Sequence, residues 1–151
     1  YEDGESAWRY LTGDRGVDPM NIVIFGRSLG GGVATWLATR HSARAVILES
    51  AFTSVYDLIF HHYPFVPVQL LFNDKFDSLS RMHSSQAGAL LVIHSPDDET
   101  VPFAQGEELF RAARENKEFF EIEGTHNNGF IATGDRYVER LDAFLDDHLG
   151  R

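Results

Sequence analysis

The sequence predicts an α/β fold: a parallel sheet with helices on both faces. Two observations carry that reading. Three short runs, Ile22–Phe25, Ala45–Leu48 and Ala89–Ile93, are apolar throughout instead of alternating, as strands buried on both faces must be, and a fourth, Phe119–Ile122, is apolar but for Glu121. Segments with helical spacing alternate with them, which is the order that builds a parallel sheet. No internal repeat, low-complexity tract or long linker breaks the 151 residues, so they are read as one unit.

Each element has its own local cause. Glu5 to Leu11 reads as the end of a helix, with Ala7, Trp8 and Leu11 on one face, and Gly13, Gly16 and Asp18-Pro19 break it. Ile22–Phe25 is β-branched and apolar, a buried strand, and Leu29–Arg40 follows as a helix. Ala45–Leu48 is the second strand. Residues 51–82 are irregular and rich in aromatics, with helical pieces around Val55–His61 and Val68–Phe72, and read as a short cap-like insert. Ala89–Ile93 is the third strand and Phe103–Arg114 an amphipathic helix. Phe119–Ile122 is the fourth strand. Gly134–Leu149 is a final helix, with Tyr137, Leu141, Phe144 and Leu145 on one face.

Composition excludes several classes. With 13 basic and 23 acidic residues the net charge is −10, which argues against binding a phosphate backbone. Hydrophobic residues at 43% and charged residues at 24% are ordinary for a globular chain and wrong for a disordered one. The absence of Cys removes disulfides, thiolate zinc sites and a catalytic thiol, and is compatible with a cytoplasmic location, which is the expectation. The longest apolar stretches fall far short of the roughly 18 residues of a membrane span, and no signal peptide is visible. A first residue of Tyr1 instead of Met leads to the expectation that something upstream has been removed, a segment that could anchor the parent to a membrane.

In parallel sheets of this kind, chemistry gathers in the loops at the carboxyl ends of the strands. After the first strand stands Gly26-Arg27-Ser28-Leu29-Gly30-Gly31-Gly32 and then a helix. This is G-x-S-x-G in the strand-to-helix setting of a nucleophile elbow. A serine in so sharp a turn is strained, and its neighbours two residues away must lack bulk, which Gly26 and Gly30 provide. The turn would lift Ser28 Oγ clear of the sheet and aim the Leu29 N–H at an oxyanion. No Lys-Ser or Lys-Thr follows the glycines, as a phosphate loop would need, and a dinucleotide fingerprint would need Gly in place of Ser28.

A serine hydroxyl needs a base to take its proton, and the base needs a carboxylate to orient it. On this fold the expected order is Ser, acid, His. The loop after the third strand reads His94-Ser95-Pro96-Asp97-Asp98-Glu99-Thr100-Val101-Pro102, and the loop after the fourth reads Glu123-Gly124-Thr125-His126-Asn127-Asn128-Gly129. His126 is the candidate base. Asp97, Asp98 and Glu99 all stand as candidate acids, any of which could be a solvated turn residue.

Together, Gly-Arg-Ser-Leu-Gly-Gly, Asp-Glu-Thr-Val-Pro and Gly-Thr-His-Asn resemble the α/β-hydrolase superfamily, nearest to its small esterases and thioesterases of the α/β-hydrolase domain-containing type. Tyr63-Pro64-Phe65-Val66-Pro67 and Phe76-Asp77-Ser78 are similar to that group as well, so the likeness covers nearly the whole chain. Three implications follow from the resemblance. The acid three residues before Val-Pro is Asp98. Asn128 departs from the Asp that relatives often carry there. Several strands should precede the elbow, so only the carboxyl-terminal half of the sheet is expected in this chain, with an exposed edge at the elbow strand. The second oxyanion donor would then lie outside it, and the 151 residues alone are expected to be weakly active or inactive, since one lost donor costs about 10²–10³ in rate.

The expected activity is cleavage of carboxylic esters or thioesters, with Ser28 as nucleophile, His126 as base and Asp98 as orienting acid. The expected partner is a small acyl ester or thioester, with no nucleic acid, and no cofactor or metal is required. An acyltransferase with the same triad, and a non-catalytic fragment, remain alternatives. A haloalkane dehalogenase is disfavoured, because that chemistry on this fold places Asp at the elbow. His61-His62 lacks partners at metal-ligand spacing. His94 reads as a packed or hydrogen-bonded strand end. Phe52, Tyr56, Phe60, Tyr63, Phe65, Phe72 and Phe76 could line an acyl pocket or pack the insert onto the sheet.

Overall fold

A computed structural model describes residues 1–66 and 76–150. The chain opens with α1 (Glu2–Arg9), whose acidic first turn (Glu2, Asp3, Glu5) and basic last residue suit the helix dipole. It winds on as a π-helical turn over Tyr10–Asp14, past the predicted end at Leu11. The Asp18 carboxylate accepts from the Met20 N–H and caps a 3₁₀ turn over Pro19–Asn21. Then come β1 (Val23–Arg27), α2 (Leu29–Arg40) and β2 (Ala45–Glu49). Ser54 caps α3 (Val55–His62) by accepting from the Asp57 N–H, and Asp77 caps α4 (Ser78–Met82) by accepting from Ser80. β3 (Leu90–His94), α5 (Phe103–Ala112), β4 (Lys117–Glu121), α6 (Gly129–Thr133) and α7 (Asp135–Leu149) complete the chain. The predicted helical piece at Val68–Phe72 lies outside the described residues.

The four strands pair in the order β1-β2-β3-β4, all parallel, with Gly26 beside Leu48, Leu48 beside Val92 and Val92 beside Phe119. Alternation along the central strands divides the core between the two faces. Val46, Leu48, Leu90 and Val92 pack with Leu37 and Ala38 of α2, Met82 of α4 and Leu109 of α5. Ala45, Ile47, Leu91 and Ile93 face the other way, onto Phe144 of α7. Every residue of β2 and β3 is buried, which is why both strands read as apolar runs up to their last residues, Glu49 and His94.

Several elements differ from the sequence reading: β1 runs on to Arg27, two residues past the predicted end, and α4 was not predicted. β4 starts at Lys117, two residues early, because an edge strand keeps one side in solvent and accepts Lys and Glu. α5 stops at Ala112, two residues before the predicted end, where Lys117 Nζ donates to the carbonyls of Phe110, Arg111 and Ala113 at 2.7, 3.1 and 2.8 Å. α6 was not predicted. It is a single short turn of helix, too brief to show a hydrophobic period. Among the described residues, no helix is long and apolar enough to cross a membrane.

Candidate active site

Ser28 occupies the turn between β1 and α2 with φ 50° and ψ −120°, a backbone conformation that side chains other than Gly seldom adopt. The surrounding structure holds it there. Its N–H donates to the Glu49 carbonyl at 2.9 Å, and its own carbonyl accepts from the Gly31 N–H at 2.9 Å. The glycines around it do different work from what the motif suggests. A Cβ on Gly26 would lie 2.5 Å from both the Gly30 carbonyl oxygen and the Ala34 Cβ, so Gly26 is sterically required. A Cβ on Gly30 would meet nothing within 4 Å, which corrects the expectation that Gly30 must lack bulk. Gly31 takes that role instead, since a Cβ there would come 2.6 Å from Ala51 in the loop after β2. Leu29 opens α2, where helix geometry leaves its N–H without an intrahelical acceptor, and its side chain is exposed.

The loops after β3 and β4 bring two more side chains to this turn. His126 Nε2 lies 3.1 Å from Ser28 Oγ, and His126 Nδ1 lies 2.8 Å from Asp98 Oδ2 and 3.0 Å from Oδ1. A carboxylate only accepts, so Nδ1 donates to Asp98 and Nε2 presents its lone pair to the serine hydroxyl. Asp98 and His126 are both buried, whereas Asp97 and Glu99 are exposed. Asp98 Oδ1 also accepts the backbone N–H groups of Thr100 at 2.9 Å and Val101 at 2.8 Å. Burial by itself would push this carboxyl up. Donation from His94, Val101, His126 and Thr100 outweighs it and holds Asp98 well below the usual carboxylate range.

The remaining candidates fall away from the reacting atoms. His94 is fully buried, with Nε2 donating to the Val101 carbonyl at 3.0 Å and lying 3.5 Å from Asp98 Oδ2. His62 Nε2 is 2.7 Å from the Thr100 carbonyl, and no cluster of three His, Cys, Asp or Glu side chains able to hold a metal exists among the described residues. Phe52 is buried and Phe76 packs on Gly32, while Phe60, Tyr63 and Phe65 are exposed. Asn128 closes the loop that carries His126: its Oδ1 accepts from the Thr125 N–H at 2.6 Å and the Thr125 hydroxyl at 3.0 Å. The sequence reading missed the support of His126. Glu99, read only as a candidate acid, accepts its N–H at 3.0 Å, and Arg27 donates to its carbonyl; Glu49 holds Arg27, and Tyr137 holds Glu49 in turn.

A model of the prolyl oligopeptidase family matches residues 1–151, the full length of the chain. The chain belongs to the prolyl oligopeptidase family. That places it among the serine hydrolases of the α/β-hydrolase superfamily. Among relatives of this family member, an uncharacterized protein of Mycobacterium tuberculosis is 35% identical over 146 residues, covering 96% of this chain and 52% of the relative. The human alpha/beta hydrolase domain-containing protein 17B is 33% identical over 149 residues, covering 99% of this chain and 50% of that protein. The chain therefore spans about half the length of these relatives. The esterase domain of a Rhodothermus marinus protein superposes with a TM-score of 0.72 at 23% identity, over 97% of this chain and 68% of that one, a likeness of fold.

Proposed function

We propose that this prolyl oligopeptidase family chain carries the nucleophile, base and acid of a serine hydrolase acting on carboxylic esters or thioesters. The observation that supports it best is the unbroken hydrogen-bond path from Ser28 Oγ through His126 to Asp98, at 3.1 and 2.8 Å. Ser28 Oγ attacks the acyl carbon as its proton passes to His126 Nε2, and Asp98 stabilises the imidazolium that forms. The Leu29 N–H donates to the developing oxyanion. His126 then returns the proton to the departing alcohol or thiol, leaving an acyl group on Ser28. Water, giving its proton to the same nitrogen, attacks the acyl-enzyme and releases the acid. A small acyl compound is the proposed partner, and none of these steps calls for a cofactor.

The family match favours a second reading, in which the same residues cleave an amide or peptide bond. Parallel turnover of p-nitrophenyl esters, a thioester and aminoacyl p-nitroanilides separates the two. Turnover of the esters and thioester above the anilides is expected, and the reverse order would favour the peptidase. Product analysis with a competing alcohol distinguishes hydrolysis from acyl transfer. The assignment itself is tested with a fluorophosphonate probe and intact mass measurement. One adduct, mapping to Ser28 and absent from a folded Ser28→Ala variant, is expected. Labelling that survives in Ser28→Ala would sink the assignment.

A further inference from the structure

His126 lies in a loop between β4 and α6, where neither a sheet ladder nor a helix fixes its backbone. Side chains hold it instead, on both of its backbone polar groups. Its N–H donates to Glu99 Oε2 at 3.0 Å, and its carbonyl accepts from the Arg27 Nη2 group, 99 residues away in the chain. Arg27 immediately precedes Ser28, so one residue ties the nucleophile's turn to the base's loop. The guanidinium is itself anchored. Its Nε–H donates to Glu49 Oε1 at 3.1 Å, and Glu49 Oε2 accepts from the Tyr137 hydroxyl of α7 at 2.5 Å. Glu49 ends β2 and is buried, and a buried carboxylate is costly to keep unless it is paired and hydrogen-bonded. Arg27 and Tyr137 supply both, and the planar guanidinium can serve Glu49 and the His126 carbonyl at once, which a lysine cannot.

We infer that Arg27, anchored by Glu49 and Tyr137, is a positioning residue that holds His126 Nε2 within reach of Ser28 Oγ. The inference rests on the triad reading above. Arg27 touches no reacting atom; it acts through the backbone of the base.

The test is turnover of p-nitrophenyl acetate by the whole protein that carries this sequence. Arg27→Ala strands the buried Glu49 carboxylate and can cost the fold, so Arg27→Met/Glu49→Gln, which removes both charges and keeps an acceptor for Tyr137, is measured beside it. For the folded double variant, kcat falls roughly 10- to 100-fold, as expected when a reacting group is misplaced by about an ångström. KM changes by less than about twofold, since no contact with the ester is lost. Arg27→Lys recovers part of the loss. Guanidinium chloride at low millimolar concentration raises kcat in Arg27→Ala and not in the parent protein, an effect that a merely structural role would not produce. A folded double variant with parental kcat, or a loss that neither Lys nor guanidinium relieves, overturns the role of Arg27 while leaving the triad standing. Turnover surviving in Ser28→Ala would remove the triad reading and this inference with it.

Discussion

At Asp98, one carboxylate satisfies two backbone N–H groups and the imidazole of His126, with a second imidazole, His94, at 3.5 Å. These contacts make it at once the hydrogen-bond partner of His126, the acid of the proposed triad, and a pH-sensitive element of stability. Its pKa is depressed in the folded chain, so the unfolded chain binds the extra proton first as pH falls. The stabilisation it provides is therefore complete above the ordinary carboxylate range and is lost as pH drops toward the depressed folded value. Asp98→Asn should flatten that acid limb: the difference in urea-unfolding free energy between neutral and acid pH should be smaller in the variant than in the parent. The same change should lower ester turnover by roughly 10⁴, since an amide can lock the imidazole in the wrong tautomer. An unchanged kcat would exclude Asp98 as the partner of the base.

The elbow separates two glycines that a motif treats alike. A methyl on Gly26 would collide with the Gly30 carbonyl and Ala34 at 2.5 Å, and both belong to the helix that the turn feeds. Gly26→Ala is therefore expected to force β1 and α2 apart, lowering the melting temperature by several degrees and abolishing fluorophosphonate labelling. A methyl on Gly30 enters open space within the first turn of α2. Gly30→Ala should fold at least as well as the parent, with a gain of up to about 1 kcal/mol from helix propensity. Equal damage from both changes would show that the motif's glycines answer to something other than local space.

Among the described residues, four parallel strands point their carboxyl ends one way, and that is what brings residues 28, 98 and 126 together. The sheet is not uniform. β2 and β3 are buried on both faces and paired on both sides, while β1 and β4 pair on one side each. Amide hydrogen exchange of the 151-residue chain should show the slowest exchange in Ala45–Glu49 and Leu90–His94, with faster exchange in Val23–Arg27. Protection of β1 equal to that of β2 would mean that another strand or subunit covers its edge.

How much of this was legible in the sequence depends on the range over which each feature is encoded. The central strands could be read because burial on both faces leaves an unbroken apolar run, and the long helices because one buried stripe leaves a period; β1 and β4 were read from short apolar runs although Phe25 and Glu121 stand exposed. The elbow could be read because its backbone demands particular residues at neighbouring positions, and the order Ser, acid, His because chain order follows strand order. The sequence alone thus determined the α/β class, the elbow at Ser28 and the two loops that face it. Choosing Asp98 from three adjacent acids needed a family resemblance, for nothing local distinguishes them. The fold does so by burying Asp98 and leaving Asp97 and Glu99 in solvent. The support of His126 was beyond sequence reading altogether, because Arg27 meets Glu49 across 22 positions, Glu49 meets Tyr137 across 88, and Arg27 meets His126 across 99. Those contacts exist only once parallel strands and their crossover helices have folded residues from β1, β2, α7 and a distant loop onto one end of the sheet.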